Sequence, residues 1–431
     1  MKSNNLLVLL LVLVLLSGCG GSGGETGTPS GASTGGTSTG TGNINSNGST
    51  GSTGSTGSGS TGNGSTAANV LAITVNGSLC SSSTSSAYPN KPCVSVTVCT
   101  SGTSTCQTIN DILLDTGSYG LRIFSTALTG VSLTQVSSPS GGALAECVEF
   151  GDGSSLWGPV MTADVVLGSE TAVQIPIQVV NTGFGTPTGC GTPDASPGIA
   201  GFNGILGVGL FPQDCGTDCR DYTKNGMYFS VSGASTVATV APLSSQVINP
   251  VAALPVDNNG VIVQLPAVAT VGAASTDGSL ILGIGTQTNN TPSSVTTYPS
   301  DQSAQFLTTF SGTTYQSFLD TGSNGLFFPS PSSSLLPICT SKYYSTWFCP
   351  SSVTSFSAVN AGYSNSPTGS VSFMIANAGT IFSSSNSVFS DLGGSMAGGF
   401  DWGLPFFLGR SVYVGIDGTT SSLGTGPYWA Y

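Results

Sequence analysis

Residues 112–124 read Ile-Leu-Leu-Asp-Thr-Gly-Ser-Tyr-Gly-Leu-Arg-Ile-Phe, and residues 317–329 read Ser-Phe-Leu-Asp-Thr-Gly-Ser-Asn-Gly-Leu-Phe-Phe-Pro. Each is an apolar run, then Asp-Thr-Gly-Ser, then one variable residue and Gly-Leu. Asp115 and Asp320 stand 205 residues apart. A second element recurs with them: Gly204-Ile-Leu-Gly207 ends 92 residues after Asp115, and Phe406-Phe-Leu-Gly409 ends 89 residues after Asp320. In a chain rich in Gly, Ser and Thr, one Asp-Thr-Gly-Ser reads as a turn. Two motifs recurring in the same order at nearly the same separation read as an internal repeat of lobe size.

The sequence around these motifs has the texture of β structure. Val94, Val96 and Val98 alternate with other residues, and Val261–Leu265 and Val371–Ile375 are short β-branched or aromatic runs between Gly, Ser, Asn and Pro. No stretch sustains a helical period over 12 residues. About 365 residues from Ala67 onward exceed one β-sandwich and suit two lobes. The predicted fold is all-β and bilobal, with an N-terminal lobe over 67–255 and a C-terminal lobe over 256–431.

The N-terminus reads as an export signal over residues 1–18. Lys2 is its positive end, and Leu6–Leu16 is an unbroken Leu/Val run of 11 residues. A membrane-spanning helix needs about 20, so this run is a signal-peptide core. Leu16-Ser-Gly-Cys19 resembles the bacterial lipobox, which implies lipid on Cys19 and anchorage without a spanning helix. Gly20–Thr66 is almost only Gly, Ser, Thr and Asn, so 19–66 is predicted to be the lipidated Cys and a disordered tether. Its 47 residues reach roughly 40 Å as a flexible coil. The expected location is the cell envelope, on the outer membrane or cell surface.

Composition narrows the chemistry. There are 62 Gly, 11 Cys and no His; 7 Lys or Arg face 19 Asp or Glu, for a net charge of −12. Charged residues make up 6%, against roughly 25% in ordinary domains. Without His there is no Ser-His or Cys-His nucleophile system and no imidazole metal site. So few cations cannot track a phosphate backbone, so no nucleic-acid partner is expected. Neither metal nor cofactor is expected. Setting Cys19 aside for lipid leaves ten cysteines, an even number suited to an oxidising compartment. Local pairing predicts Cys99–Cys106, Cys215–Cys219 and Cys339–Cys349; Cys80–Cys93 and Cys147–Cys190 complete the set on weaker grounds. Asp111, Asp164, Asp257 and Asp277 read as turn or solvated residues, and Asp214, Asp218 and Asp221 as part of a Cys-stapled loop.

The paired Asp-Thr-Gly-Ser motifs resemble those of the pepsin-like aspartic peptidases. That resemblance implies two β lobes about a pseudo-two-fold axis, each placing one loop in a central cleft. It identifies Asp115 and Asp320 as the catalytic pair, supported by Thr116, Gly117, Ser118, Thr321, Gly322 and Ser323. Ile205-Leu-Gly207 and Phe407-Leu-Gly409 look like the segments that thread beneath the loops, and Gly278–Ile284 like the strand opening the second lobe. Val148–Ser154 looks like the flap hairpin over the substrate, with Phe150, Gly151, Asp152 and Gly153 at its tip. The endings Phe400-Asp-Trp-Gly-Leu-Pro-Phe-Phe407 and Gly426-Pro-Tyr-Trp-Ala-Tyr431 resemble an uncharacterised bacterial family, domain of unknown function 3443.

The implied activity is endopeptidase action on peptide or unfolded protein by a monomer, through two carboxylates and a water. Two acids in contact cannot both ionise cheaply, so one holds a proton and acts as acid while the other acts as base. Two positions depart from the family: the flap residue usually Tyr is Phe150, and the Trp that usually supports it aligns with Arg122. Tyr119 is the nearest candidate for a replacement hydroxyl, and an inward Arg122 would lower the carboxylate pKa values. The alternative reading is a surface lipoprotein whose cleft binds peptide or glycan without cutting it.

Overall fold

The computed structural model describes residues 67–81, 88–187 and 189–431. The export signal, Cys19 and the tether lie outside them. The described chain is all-β, its strands forming sheets of 16, 7 and 2 strands. Its longest α-helix, Thr217–Asp221, has five residues.

The alternating valines behave as their period requires. Val94, Val96 and Val98 lie on the strand Pro92–Cys99 and are fully buried on one face. This strand pairs antiparallel with Cys106–Asp115, with Cys99 opposite Cys106. A 16-stranded sheet runs from the first half into the second. Its crossing point is Val70–Val75, which pairs antiparallel with Thr276–Leu282 from Val70 opposite Ile281 to Val75 opposite Thr276. Thr276–Leu282 continues to Gly260–Leu265, and that strand to Arg410–Gly415. The second half also has its own 7-stranded sheet.

The internal repeat is a three-strand unit. In the first half, Cys106–Asp115 runs parallel to Gly204–Val208, which is antiparallel to Tyr119–Phe124. In the second, Thr313–Leu319 runs parallel to Gly399–Trp402, which is antiparallel to Leu326–Phe328. Register corrects one expectation. Asp115 lies opposite Gly207 and Leu319 opposite Trp402, so the mate of Gly207 is Gly403, not Gly409. Both glycines are required by space. A Cβ at Gly207 would lie 2.7 Å from the Tyr119 backbone, and one at Gly403 2.6 Å from the Ser323 carbonyl oxygen. Phe406 and Phe407 instead form the short helix Leu404–Phe407, started by Pro405.

The second half has an aromatic core. Phe400 and Trp402 are fully buried and stack at 4.4 Å between centroids, and Phe400 stacks on Phe328 at 5.0 Å. Such pairs add about 0.5–1.5 kcal/mol each beyond area burial. Because side chains alternate along a strand, Asp401 between them is turned to the opposite face.

All ten described cysteines are paired: Cys80–Cys93, Cys99–Cys106, Cys147–Cys190, Cys215–Cys219 and Cys339–Cys349. Cys147–Cys190 spans 43 residues and Cys215–Cys219 four. Loop-closure entropy then makes the first bridge worth roughly 4 kcal/mol and the second roughly 2. Replacing each pair by alanine and following urea unfolding should show that order; the reverse order would contradict it.

Candidate active site

Asp115 ends the strand Cys106–Asp115, Asp320 directly follows the strand Thr313–Leu319, and each is held by its own loop. The Gly117 N–H donates to Asp115 Oδ1 at 2.8 Å and the Gly322 N–H to Asp320 Oδ1 at 2.7 Å. The Ser118 hydroxyl donates to Asp115 Oδ2, and the Ser323 hydroxyl to Asp320 Oδ2 at 2.7 Å. The threonines join the loops. The Thr116 N–H donates to Thr321 Oγ1 at 3.1 Å, and the Thr321 N–H to Thr116 Oγ1 at 3.0 Å. Each hydroxyl passes its own proton across the axis, Thr116 to the Leu319 carbonyl at 2.9 Å and Thr321 to the Leu114 carbonyl at 2.7 Å. Every bond thus has a mate in the other half.

The two carboxyls face one another, since a Cβ built at Gly322 would lie 2.9 Å from Asp115 Oδ1 and 3.1 Å from Asp320 Oδ1, and both residues are buried. Gly117 and Gly322 are glycine for room rather than for a left-handed backbone. A Cβ at Gly117 would lie 2.7 Å from the Asp320 carboxyl carbon, and one at Gly322 2.9 Å from Asp115 Oδ1. Burial pushes the Asp320 carboxyl well above the usual range, and the charges of Asp115 and Asp401 push it further. The Asp320 carboxyl therefore favours its protonated form beside Asp115.

The residues expected to form a flap lie on a hairpin between Ala143–Glu149 and Ser155–Leu167. Asp152 accepts from the Ser154 N–H at 2.8 Å and the Ser154 hydroxyl at 2.6 Å, and Gly153 takes positive φ to turn the chain. Phe150 is buried against Val148, Leu156, Phe202, Ile205 and Tyr88. A hydroxyl beside the second loop comes from Tyr88. Tyr88 donates to the Gly322 carbonyl at 2.8 Å. Burial, then the charges of Asp320, Asp152 and Asp115, push its ionisation well up. Tyr119 is also pushed up in its ionisation by burial and then by the charge of Asp115, while its ring meets Phe211 edge-on at 5.3 Å.

Tyr88 escaped the sequence reading because it follows a Ser/Thr-rich stretch. Its signal was the bulky sequence Tyr88-Pro-Asn-Lys91, all of it buried. Asn90 donates to the carbonyls of Asn324 and Phe389, both at 2.9 Å. Lys91 pairs with Asp111 at 2.5 Å and donates to the Gly201 carbonyl at 2.6 Å. These anchors hold Tyr88 between the two halves.

Arg122 points away from the pair. Its guanidinium is buried against Glu146 at 2.6 Å and Asp214 at 3.0 Å, and donates to the Tyr119 carbonyl at 2.6 Å. It ties the flap strand to the strand following the first loop. Several acids expected at turns or in solvent are also internal. Asp111 pairs with Lys91; Asp257 accepts from Thr286 and Gln287; Asp164 accepts from the Gly102 N–H at 2.8 Å and the Gln174 N–H at 2.7 Å. Asp214 is buried and accepts from Tyr228 at 2.8 Å. The reason is that carboxylates serve as strong acceptors for buried donors. Cys80, Cys93 and Asp111 also cluster within 4.8 Å. The two sulfurs are bonded to each other and the carboxylate is paired, so the trio does not fit a metal.

The family described as "Protein of unknown function (DUF3443)" matches residues 65–431, and the chain belongs to it. No curated protein matches the sequence. Among solved structures, the chain is similar to the aspartic proteinase from Irpex lacteus, at 17% identity over 84% of this chain and 96% of that one, with a TM-score of 0.47.

Burial raises Asp214, Asp320 and Asp401 above the ordinary carboxylate value of 3.8, and Asp391 to about 6. Above that ordinary value the folded chain keeps protons that the unfolded chain releases. Stability is therefore fully present in acid and falls as pH rises through the raised values. Urea unfolding between pH 4 and 7 should show a fall, and Asp320→Asn should lessen it by about 1–3 kcal/mol. Stability rising over that span would mean these acids are ionised in the fold.

Proposed function

We propose that this chain is an envelope-anchored aspartic endopeptidase that hydrolyses peptide bonds in unfolded or extended protein. One observation carries the reading: two matching Asp-Thr-Gly-Ser loops hold Asp115 and Asp320 face to face about a pseudo-two-fold axis. Asp320, the acid raised by burial, keeps the shared proton; Asp115 is the base. A water between them gives its proton to Asp115 as its oxygen attacks the scissile carbonyl carbon, while Asp320 protonates the carbonyl oxygen. The tetrahedral diol collapses when Asp115 passes its proton to the amide nitrogen and Asp320 recovers one from a diol hydroxyl. The carbon–nitrogen bond breaks and the pair returns to its starting state. No covalent enzyme intermediate is formed.

The burial of Phe150 and Tyr88 together favours a second reading, in which the cleft holds a peptide without cutting it. The two separate on the aspartates. Asp115→Asn and Asp320→Asn should each lower cleavage of an unfolded protein at acid to mildly acid pH roughly 10³-fold or more, with the fold retained. A statine-type inhibitor should block the wild type. Full activity in either variant would end the peptidase reading. A labelled peptide bound equally by wild type and the double Asn variant, and never cleaved, would establish the binding one.

The leader supports an anchor of lipid on Cys19, with the tether carrying the folded part up to roughly 40 Å from the membrane surface. Fatty-acid labelling of the expressed chain should depend on Cys19 and vanish in Cys19→Ala, with the protein released from the membrane fraction. Labelling that survives the substitution would rule the anchor out.

A further inference from the structure

Asp401 is a third acid at the pair that the repeat does not explain. By register its mate in the first half is Ile205, two residues before the glycine beneath the loop. Phe400 and Trp402 turn into the aromatic core, so Asp401 faces the other way. It is fully buried, and neither carboxyl oxygen meets a hydrogen-bond partner among the described residues. The charged groups that bear on it are Asp115 and Asp320, both acids. No Lys or Arg among the described residues is one of them. A bond donated by the Ser323 hydroxyl would favour the ionised form of Asp401, but that hydroxyl does not reach it in hydrogen-bond geometry. That hydroxyl has one proton, already donated to Asp320 Oδ2 at 2.7 Å. What it can offer a neighbour is a lone pair. An ionised Asp401 has no use for a lone pair; a protonated one does.

We propose that Asp401 is a positioning residue: it stays uncharged and turns its carboxyl proton to Ser323 Oγ, fixing the serine whose own proton orients Asp320. The chain of donation runs Asp401 to Ser323 to Asp320, and no proton leaves Asp401 during turnover. Burial, which raises the Asp401 carboxyl well above its ordinary range, agrees with a retained proton. The first half has no such device, because Ile205 offers only packing. The kinetic part of this inference rests on the peptidase reading; the protonation part does not.

Two measurements test it on the full chain. The first is infrared spectroscopy near neutral pH in an Asp115→Asn/Asp320→Asn background, where the pair's own proton cannot contribute. Adding Asp401→Asn should remove a protonated-carboxyl band; removal of a carboxylate band overturns the proposal. The second is kinetics. Asp401→Ile, which copies the first half, should lower kcat roughly tenfold with KM little changed. Asp401→Asn keeps a donor and should recover most of that loss. An Ile variant equal to wild type, or an Asn variant as impaired as Ile, overturns it. If wild type itself cleaves nothing, the peptidase reading fails while the infrared result still decides the state of Asp401. If the Ile variant does not fold, the Asn variant and the infrared band remain decisive.

Discussion

The exchange of hydrogen bonds between Thr116 and Thr321 holds the structure's central contradiction in place. Two carboxyl groups are buried face to face, an arrangement that costs several kcal/mol if both are charged. Something must force them together. Each threonine accepts from the other loop's backbone and donates to the strand that leads into the other loop. Neither loop can move without breaking bonds in both halves. The glycines then let the loops close to a distance that any side chain would prevent. The paired sheets supply the rigid frame that makes these few bonds decisive.

A chain with so few charges places about half of its described ones inside. Lys91, Arg122, Asp111, Glu146 and Asp214 are all buried and paired. This runs against the ordinary placement of charge at the surface. The surface is instead solvated by Ser, Thr, Asn and backbone, which leaves the ionic residues for joints between segments. Lys91 fixes the approach of Tyr88, and Arg122 fixes the flap strand to the strand after the first loop. Removing one member of either joint would strand a buried charge, which is far more damaging than losing a surface pair.

What the sequence made legible follows from what repeats and what is local. The duplicated Asp-Thr-Gly-Ser loops are visible because both copies keep the same residues for the same steric and hydrogen-bonding reasons. The all-β reading follows from period-2 valines, and three of the five disulfides from short separations. The threading strand of the second half was misplaced because its mate of Ile205 is an acid: Asp401-Trp-Gly403 does not look apolar, whereas Phe407-Leu-Gly409 does. Only pairing register distinguishes them. Tyr88 and the buried acids were hidden for a different reason. Their environment is built by residues distant in sequence, so nothing local marks a Tyr that reaches Gly322 or an Asp that meets Lys91.

The departures from symmetry carry as much meaning as the symmetry. Two identical loops would give two equivalent acids, and a shared proton would have no preferred side. Here the halves differ around the pair. Tyr88 engages only the second loop, through Gly322. The flap arises only from the first half. Ile205 and Asp401 occupy matched places with opposite chemistry. Asp320 therefore sits between Asp115 and a further buried acid, while the Asp115 side of the axis is backed by hydrocarbon at Ile205. Negative charge is least tolerable where acids are densest, which is why burial and the charges of Asp115 and Asp401 raise the Asp320 carboxyl. The duplication builds the pair, and divergence of its surroundings assigns the roles.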